Sequence, residues 1–93
     1  MPEISTRKRV QKIDEAKEII ADLEAEKGMQ LSSPRGALHD AGTYIESDRM
    51  FFEQMEIAMG RTAGLAVEGG FDEVAADASQ LVTDLQENVL NGE

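Results

Sequence analysis

The chain has no cysteine and no tryptophan, and its few aromatic residues are Tyr44, Phe51, Phe52 and Phe71. Without cysteine it can form neither disulfide bonds nor thiolate metal sites, which suits a reducing compartment such as the cytoplasm. No apolar run approaches the roughly 18 residues that a membrane-spanning helix needs, and we expect no secretory signal segment. These absences predict a soluble cytoplasmic protein.

Basic residues are also scarce. Nine lysines and arginines stand against 19 aspartates and glutamates, so the formal net charge is −10. No lysine or arginine occurs after Arg61, whereas Arg7, Lys8, Arg9 and Lys12 make the opening segment basic. Phosphate backbones and anionic lipids repel an acidic chain, which disfavours general nucleic-acid or membrane binding. The balance favours a basic protein partner, or self-association that pairs the basic start with the acidic last third.

Apolar residues recur at helical spacing in three stretches, and no stretch alternates as a half-buried strand does. The predicted helices cover residues of about 5–27, 34–59 or on to 67, and 71–90. Ninety-three residues are enough for one domain. The sequence therefore predicts an all-α domain over residues 1–93, a long antiparallel helical hairpin with an additional N-terminal helix.

The predicted central helix carries the broadest apolar face. Ser33 suits its N-cap, and Pro34 suits its first position. Met50 and Ile57 form a second, narrower apolar strip on the opposite side. A helix with two apolar sides packs on two neighbours, and a chain this short hides only a modest core. We therefore expect several copies to assemble into a homo-oligomeric helical bundle.

Asp48 conflicts with this pattern. Angular counting places it in the middle of the central helix's apolar face, between Tyr44 and Phe52, where an unpaired carboxylate costs several kcal/mol. Either it lies at a rim or beside a cation of a neighbouring helix, or it is a polar anchor between subunits or within a binding cleft. We predict that an interface contains Tyr44, Asp48, Met50 and Ile57.

Patterns that carry chemistry are absent. His39 is the only histidine, and neither Glu-x-x-His nor His-x-x-x-His spacing occurs, so we predict no metal site and treat His39 as a surface or interface residue. The Gly60-Arg61-Thr62 segment lacks the upstream glycine and the lysine of a phosphate-binding P-loop. We expect no enzymatic activity and no cofactor.

Three functional hypotheses remain. We favour a non-enzymatic interaction protein that binds and modulates or inhibits another macromolecule, by analogy of size and charge with phage or mobile-element inhibitors and immunity proteins. The first alternative is an oligomeric binder or sponge of a phosphate-bearing small molecule such as a signalling nucleotide. Its predicted ligand-binding residues are Arg7, Lys8, Arg9, Lys12 and Arg61. The second alternative is a structural or chaperone subunit of a larger assembly.

Overall fold

A computed structural model describes residues 6–87, which form four helices joined by short turns. The helices are α1 (Thr6–Lys27), α2 (Ser32–Thr43), α3 (Asp48–Gly69) and α4 (Asp72–Leu85). Because these residues contain no strand, the all-α prediction is confirmed for them. The predicted ends at residues 5 and 90 lie outside the described range. None of the four helices is both long and apolar enough to cross a membrane.

The prediction of one continuous central helix from Pro34 is wrong, because the chain turns between α2 and α3 at residues 44–47. The backbone N–H of Tyr44 donates to the carbonyl oxygen of Asp40 and closes α2. Ser47 then takes an extended conformation, and its hydroxyl oxygen accepts a hydrogen bond of 3.2 Å from the N–H of Met50. This is an N-cap, and a new helix begins after it. Gly42 and Thr43, both weak helix formers, precede the break.

The predicted N-cap at Ser33 is also wrong. α2 begins at Ser32, two residues before Pro34, and the side chain of its N-cap residue Leu31 makes no capping hydrogen bond. The carboxylate of Glu24 in α1 supplies the missing acceptor, at 2.9 Å from the backbone N–H of Leu31. The first backbone N–H groups at a helix start have no acceptor within the helix. Here the N–H of Leu31, which directly precedes α2, finds its acceptor in the neighbouring helix α1.

The far end of α3 lies beyond both predicted limits, at Gly69. The helix continues through Gly60 and ends because Gly70 adopts a left-handed conformation with φ of 79°. The N–H of Phe71 donates to the carbonyl oxygen of Ala66 at 2.8 Å, as in a Schellman ending. Gly70 and Phe71 thus connect α3 to α4, which packs against it.

The core lies where the four helices meet. α3 packs against α2 and α4, and α1 contacts all three. The main cluster of buried apolar side chains consists of Ile13, Ala16, Ile20, Ala37, Leu38, Ala41, Phe51, Phe52, Met55, Ala58, Met59, Ala78, Leu81 and Leu85. A smaller cluster of Leu23, Leu31, Ala66 and Val74 continues it towards the ends of α1 and α3. Because the central stretch is divided, α2 and α3 bury their apolar faces against each other and against α1.

Candidate functional site

Arg9, one of the predicted ligand-binding cations, is buried within the fold, with only 4% of its side chain exposed. Its guanidinium group pairs with the carboxylate of Asp48 and donates a hydrogen bond of 2.5 Å to the carbonyl oxygen of Ile45. The same group lies 5.4 Å from the centre of the Phe51 ring, within the range of a cation–π contact. Arg9 therefore fastens α1 to the turn between α2 and α3.

Of the other predicted cations, Arg7, Lys8 and Lys12 lie near the start of α1, whereas Arg61 lies on α3. Arg7 and Lys8 are exposed on the first turn of α1, and the ammonium group of Lys12 lies 3.6 Å from the carboxylate of Glu15. Arg61 is exposed on α3 and donates to the carbonyl oxygen of Ser33 at 3.4 Å. Since Arg9 contacts the first residue of α3, whereas Arg61 lies 13 residues further along it, about 20 Å separates these two positions along the helix axis.

Asp48 is not in the middle of an apolar face as predicted, because the break before α3 makes it the first residue of that helix. Half of its side chain is exposed, and Arg9 of the neighbouring helix pairs with it, as one of the two interpretations expected. A carboxylate at this position also interacts favourably with the helix dipole. Of the other predicted interface residues, Tyr44 and Ile57 are exposed and Met50 is half-buried.

A strongly charged concave surface lies between α1 and α4. We call it the acidic groove: about 300 Å³ in volume, with Ile19 and Leu81 as its apolar lining. Gln80 and five carboxylates complete it, namely Glu15, Glu18 and Asp22 of α1 with Asp77 and Asp84 of α4. No described residue that lines it is basic. At its edges Lys12 approaches Glu15, and Gln80 donates a hydrogen bond of 2.9 Å to Asp84.

Sequence reasoning missed the acidic groove, although both helices carry a signal for it. Its carboxylates in α1 are spaced by three and four residues, and Asp77, Gln80 and Asp84 repeat the same spacing in α4. Residues at this spacing share one face of a helix. The missing information was that α1 and α4 are neighbours, which places the two faces side by side.

A second groove, between α1 and α2, has the opposite charge. We call it the cationic groove: about 360 Å³ in volume, lined by Ile13, Leu38, Gly42 and Thr43 together with Lys17, Arg35 and His39. Within residues 6–87 no acidic residue lines it. His39, expected at a surface or interface, is exposed and lines this groove.

The Glu24–Arg35 clasp joins the same two helices. The Nε and Nη2 groups of Arg35 donate to the two carboxylate oxygens of Glu24, the first at 2.6 Å, while the N–H of Leu31 donates to Glu24 as well. Chiefly because of the Arg35 hydrogen bonds, and then of the Leu31 bond, the pKa of Glu24 falls from 4.5 to about 2. The carboxylate in turn raises the pKa of Arg35. Such bidentate, charge-assisted pairs are strong and directional.

The carboxylates do not converge on a point. Within the part of the chain that the structure describes, no three histidine, aspartate or glutamate side chains are grouped so that they could hold a metal ion. The arrangement instead offers two extended surfaces of opposite charge, one on each side of α1. No protein-family model, curated protein or solved structure matches this chain.

Proposed function

We propose that the chain is a non-enzymatic interaction protein that binds a basic segment of another protein in the acidic groove, and that it thereby modulates or inhibits this partner. The observation that supports the proposal is the groove's composition. Five carboxylates from two helices border a strip formed by Ile19 and Leu81, and none of the described lining residues is a cation.

This composition matches the chemistry of lysine and arginine. Their alkyl stems can lie on the apolar strip while their charged heads reach the carboxylates at its edges. The carboxylates repel one another across the groove, and a cationic segment relieves that repulsion. The net charge of −10 adds a long-range attraction that accelerates the encounter with a basic partner.

The test compares two variants of equal charge by affinity capture from an extract of the source cells, with quantitative mass spectrometry of the retained proteins. The groove variant carries Glu18→Gln, Asp22→Asn and Asp77→Asn. The control carries Glu26→Gln, Glu46→Gln and Glu56→Gln, all at exposed positions outside the groove. We expect the wild type and the control to retain the same basic protein, and the groove variant to lose it.

Equal retention by both variants would exclude the groove as the binding surface. If the chain instead turns over a substrate, or if no basic protein is retained by the wild type, the proposed function is wrong. Circular dichroism of each variant establishes that it is folded before the capture results are compared.

Self-association is the second part of the proposal. We infer that α3 and α4 form the antiparallel hairpin of a homo-oligomeric bundle, with copies meeting through exposed apolar side chains such as Tyr44, Ile57 and Val67, of which Val67 is 63% exposed. Light scattering should give a multiple of the 10.2 kDa chain mass, reduced to a single chain by Ile57→Lys. A wild-type protein that stays monomeric would contradict this inference.

A further inference from the structure

We propose that the cationic groove binds a small phosphate ester, with the phosphate held by Lys17, Arg35 and His39 and an apolar or aromatic group of the ester lying on Ile13 and Leu38. This site uses none of the cations that the sequence pointed to. It lies on the opposite side of α1 from the acidic groove, so it stands independently of the function proposed above.

The cations of this groove have capacity left for a ligand. The ammonium group of Lys17 is exposed and makes no ion pair or hydrogen bond within residues 6–87. Arg35 uses Nε and Nη2 for Glu24, which leaves Nη1 as a donor, while the bidentate pair holds the guanidinium plane in place. A pre-oriented guanidinium group and a mobile lysine are the side chains that proteins commonly combine around a phosphate.

The local charge is unusual for this molecule. In a chain of net charge −10, the groove has three residues that carry or acquire positive charge and no described acidic residue in its lining. Glu24 balances Arg35 from outside the lining, so Lys17 supplies the uncompensated charge, and His39 adds to it when protonated. An anion is the ligand that this arrangement favours.

The groove also has room and an apolar surface. Its volume of about 360 Å³ lies at the lower end of the range for small-molecule sites. Gly42 lines the groove opposite Ile13, and a Cβ atom at this position would lie in ordinary contact with the Cδ1 atom of Ile13, at 3.9 Å. A longer side chain at position 42 would therefore extend into the space that a ligand needs.

The experiment is a titration with phenyl phosphate, monitored by NMR. Inorganic phosphate and phenol, which correspond to the two halves of this probe, are titrated separately for comparison. We expect phenyl phosphate to shift the backbone amide signals of Ile13, Lys17, Leu38 and Gly42, and to bind more tightly than inorganic phosphate. Phenol alone should leave these signals in place, because it has no charge for the cations to hold.

Two variants test the site by different means. Lys17→Gln should weaken phenyl phosphate binding about fivefold, as expected for the loss of a partly solvated ion pair worth about 1 kcal/mol. Lys27→Gln, ten residues further along α1, makes the same charge change about 15 Å away and should leave binding unchanged.

Gly42→Leu should abolish binding by filling the groove, while a leucine at this helical position favours the folded state. Gly64→Leu is the matched control, since a Cβ atom there meets open space outside the groove. The proposal is overturned if phenyl phosphate causes no shifts at the groove, or if Gly42→Leu binds it like the wild type. It is equally overturned if the shifts depend on protein concentration alone, which would mean that a carboxylate of a second copy occupies the site.

Discussion

Arg9 and Asp48 form a pair whose two ends lie in different surroundings. The side chain of Arg9 is 4% exposed, whereas that of Asp48 is 52% exposed at the first turn of α3. Arg9 also donates to the carbonyl oxygen of Ile45 and lies over the Phe51 ring. Because the guanidinium group of Arg9 is buried, water competes less for its hydrogen bonds than for those of an exposed ion pair.

We predict that this pair contributes more to stability than an exposed pair of the same chemistry. A double-mutant cycle of Arg9→Met with Asp48→Asn should give a coupling free energy of about 1–3 kcal/mol in urea unfolding. Arg49 and Glu53, which are 86% and 46% exposed, provide the control. The cycle of Arg49→Gln with Glu53→Gln should give below about 0.5 kcal/mol. Equal coupling free energies in the two cycles would mean that the burial of Arg9 does not strengthen its pair with Asp48.

The sequence shows that the carboxylate of Asp48 needs a partner, but it does not show which residue is that partner. Charge and helical spacing place the carboxylate in conflict with its apolar neighbours. Its partner is 39 residues away, and it is one of several basic residues near the start of the chain. Only the packing of α1 against the turn between α2 and α3 selects Arg9. The same packing removes Arg9 from the set of cations available to a ligand.

Sequence periodicity misses the break between α2 and α3. Apolar residues keep a helical spacing across the break, so a count of angles continues through it. The local signals are weaker but present: Ser47 followed by Asp48 resembles a helix start, and Gly42 with Thr43 resembles a helix end. A cap at Ser47 stabilises α3 only when the preceding residues leave the helical conformation, which the packing of α2 against α3 favours.

We predict that Ser47→Ala destabilises the protein by about 1 kcal/mol, because the N–H of Met50 loses its side-chain acceptor. Ser33→Ala is the matched control: Ser33 is exposed, its hydroxyl caps no helix, and its bond to Arg61 uses the backbone carbonyl oxygen. Urea unfolding of both variants gives the comparison. A larger loss of stability in Ser33→Ala than in Ser47→Ala would contradict this prediction. It would instead support an N-cap at Ser33, as in the continuous central helix that the periodicity suggests.

The contact of α1 with α2 should depend on pH through Glu24. Its pKa is lowered from 4.5 to about 2, mainly by the Arg35 hydrogen bonds. A carboxyl group with a lowered folded-state pKa contributes stability that is fully present above pH 4.5 and is lost as the pH falls towards 2. The stability difference between the wild type and Glu24→Gln should therefore shrink over this range in urea unfolding.

The exposed Glu26, two residues away, is the control for this pH dependence. Glu26→Gln changes the net charge by the same amount but removes no described hydrogen bond, so its stability should follow that of the wild type throughout the range. A constant difference between the wild type and Glu24→Gln at every pH would show that the clasp does not depend on ionisation of Glu24.

On the scale of the whole molecule, helix adjacency decides which charges meet. The sequence predicts that the chain is helical and acidic, with an apolar face on each helix. It does not predict that α1 lies between α2 and α4, because each helix has only one broad apolar face and several arrangements would bury it. Both grooves arise from that placement: cations meet on one side of α1, and carboxylates on the other.

The acidic groove should make the stability of the protein depend on salt. Two like charges roughly 8 Å apart in water repel by about 0.5 kcal/mol. Carboxylates of α1 and α4 line the same groove, so they repel one another by the same mechanism. Raising the salt concentration from about 0.02 M to about 0.5 M shortens the screening length well below that separation. We therefore expect the melting temperature to rise by about 4–8 °C, as a gain of about 1 kcal/mol produces in a domain of this size.

Two double variants of equal charge test this explanation. Glu18→Gln with Asp77→Asn, inside the groove, should melt at a higher temperature than the wild type at low salt and should gain less from added salt. Glu26→Gln with Glu56→Gln, outside the groove, should keep most of the wild-type salt dependence. Equal behaviour of the two variants in calorimetry would mean that net charge alone, rather than the facing carboxylates, causes the repulsion.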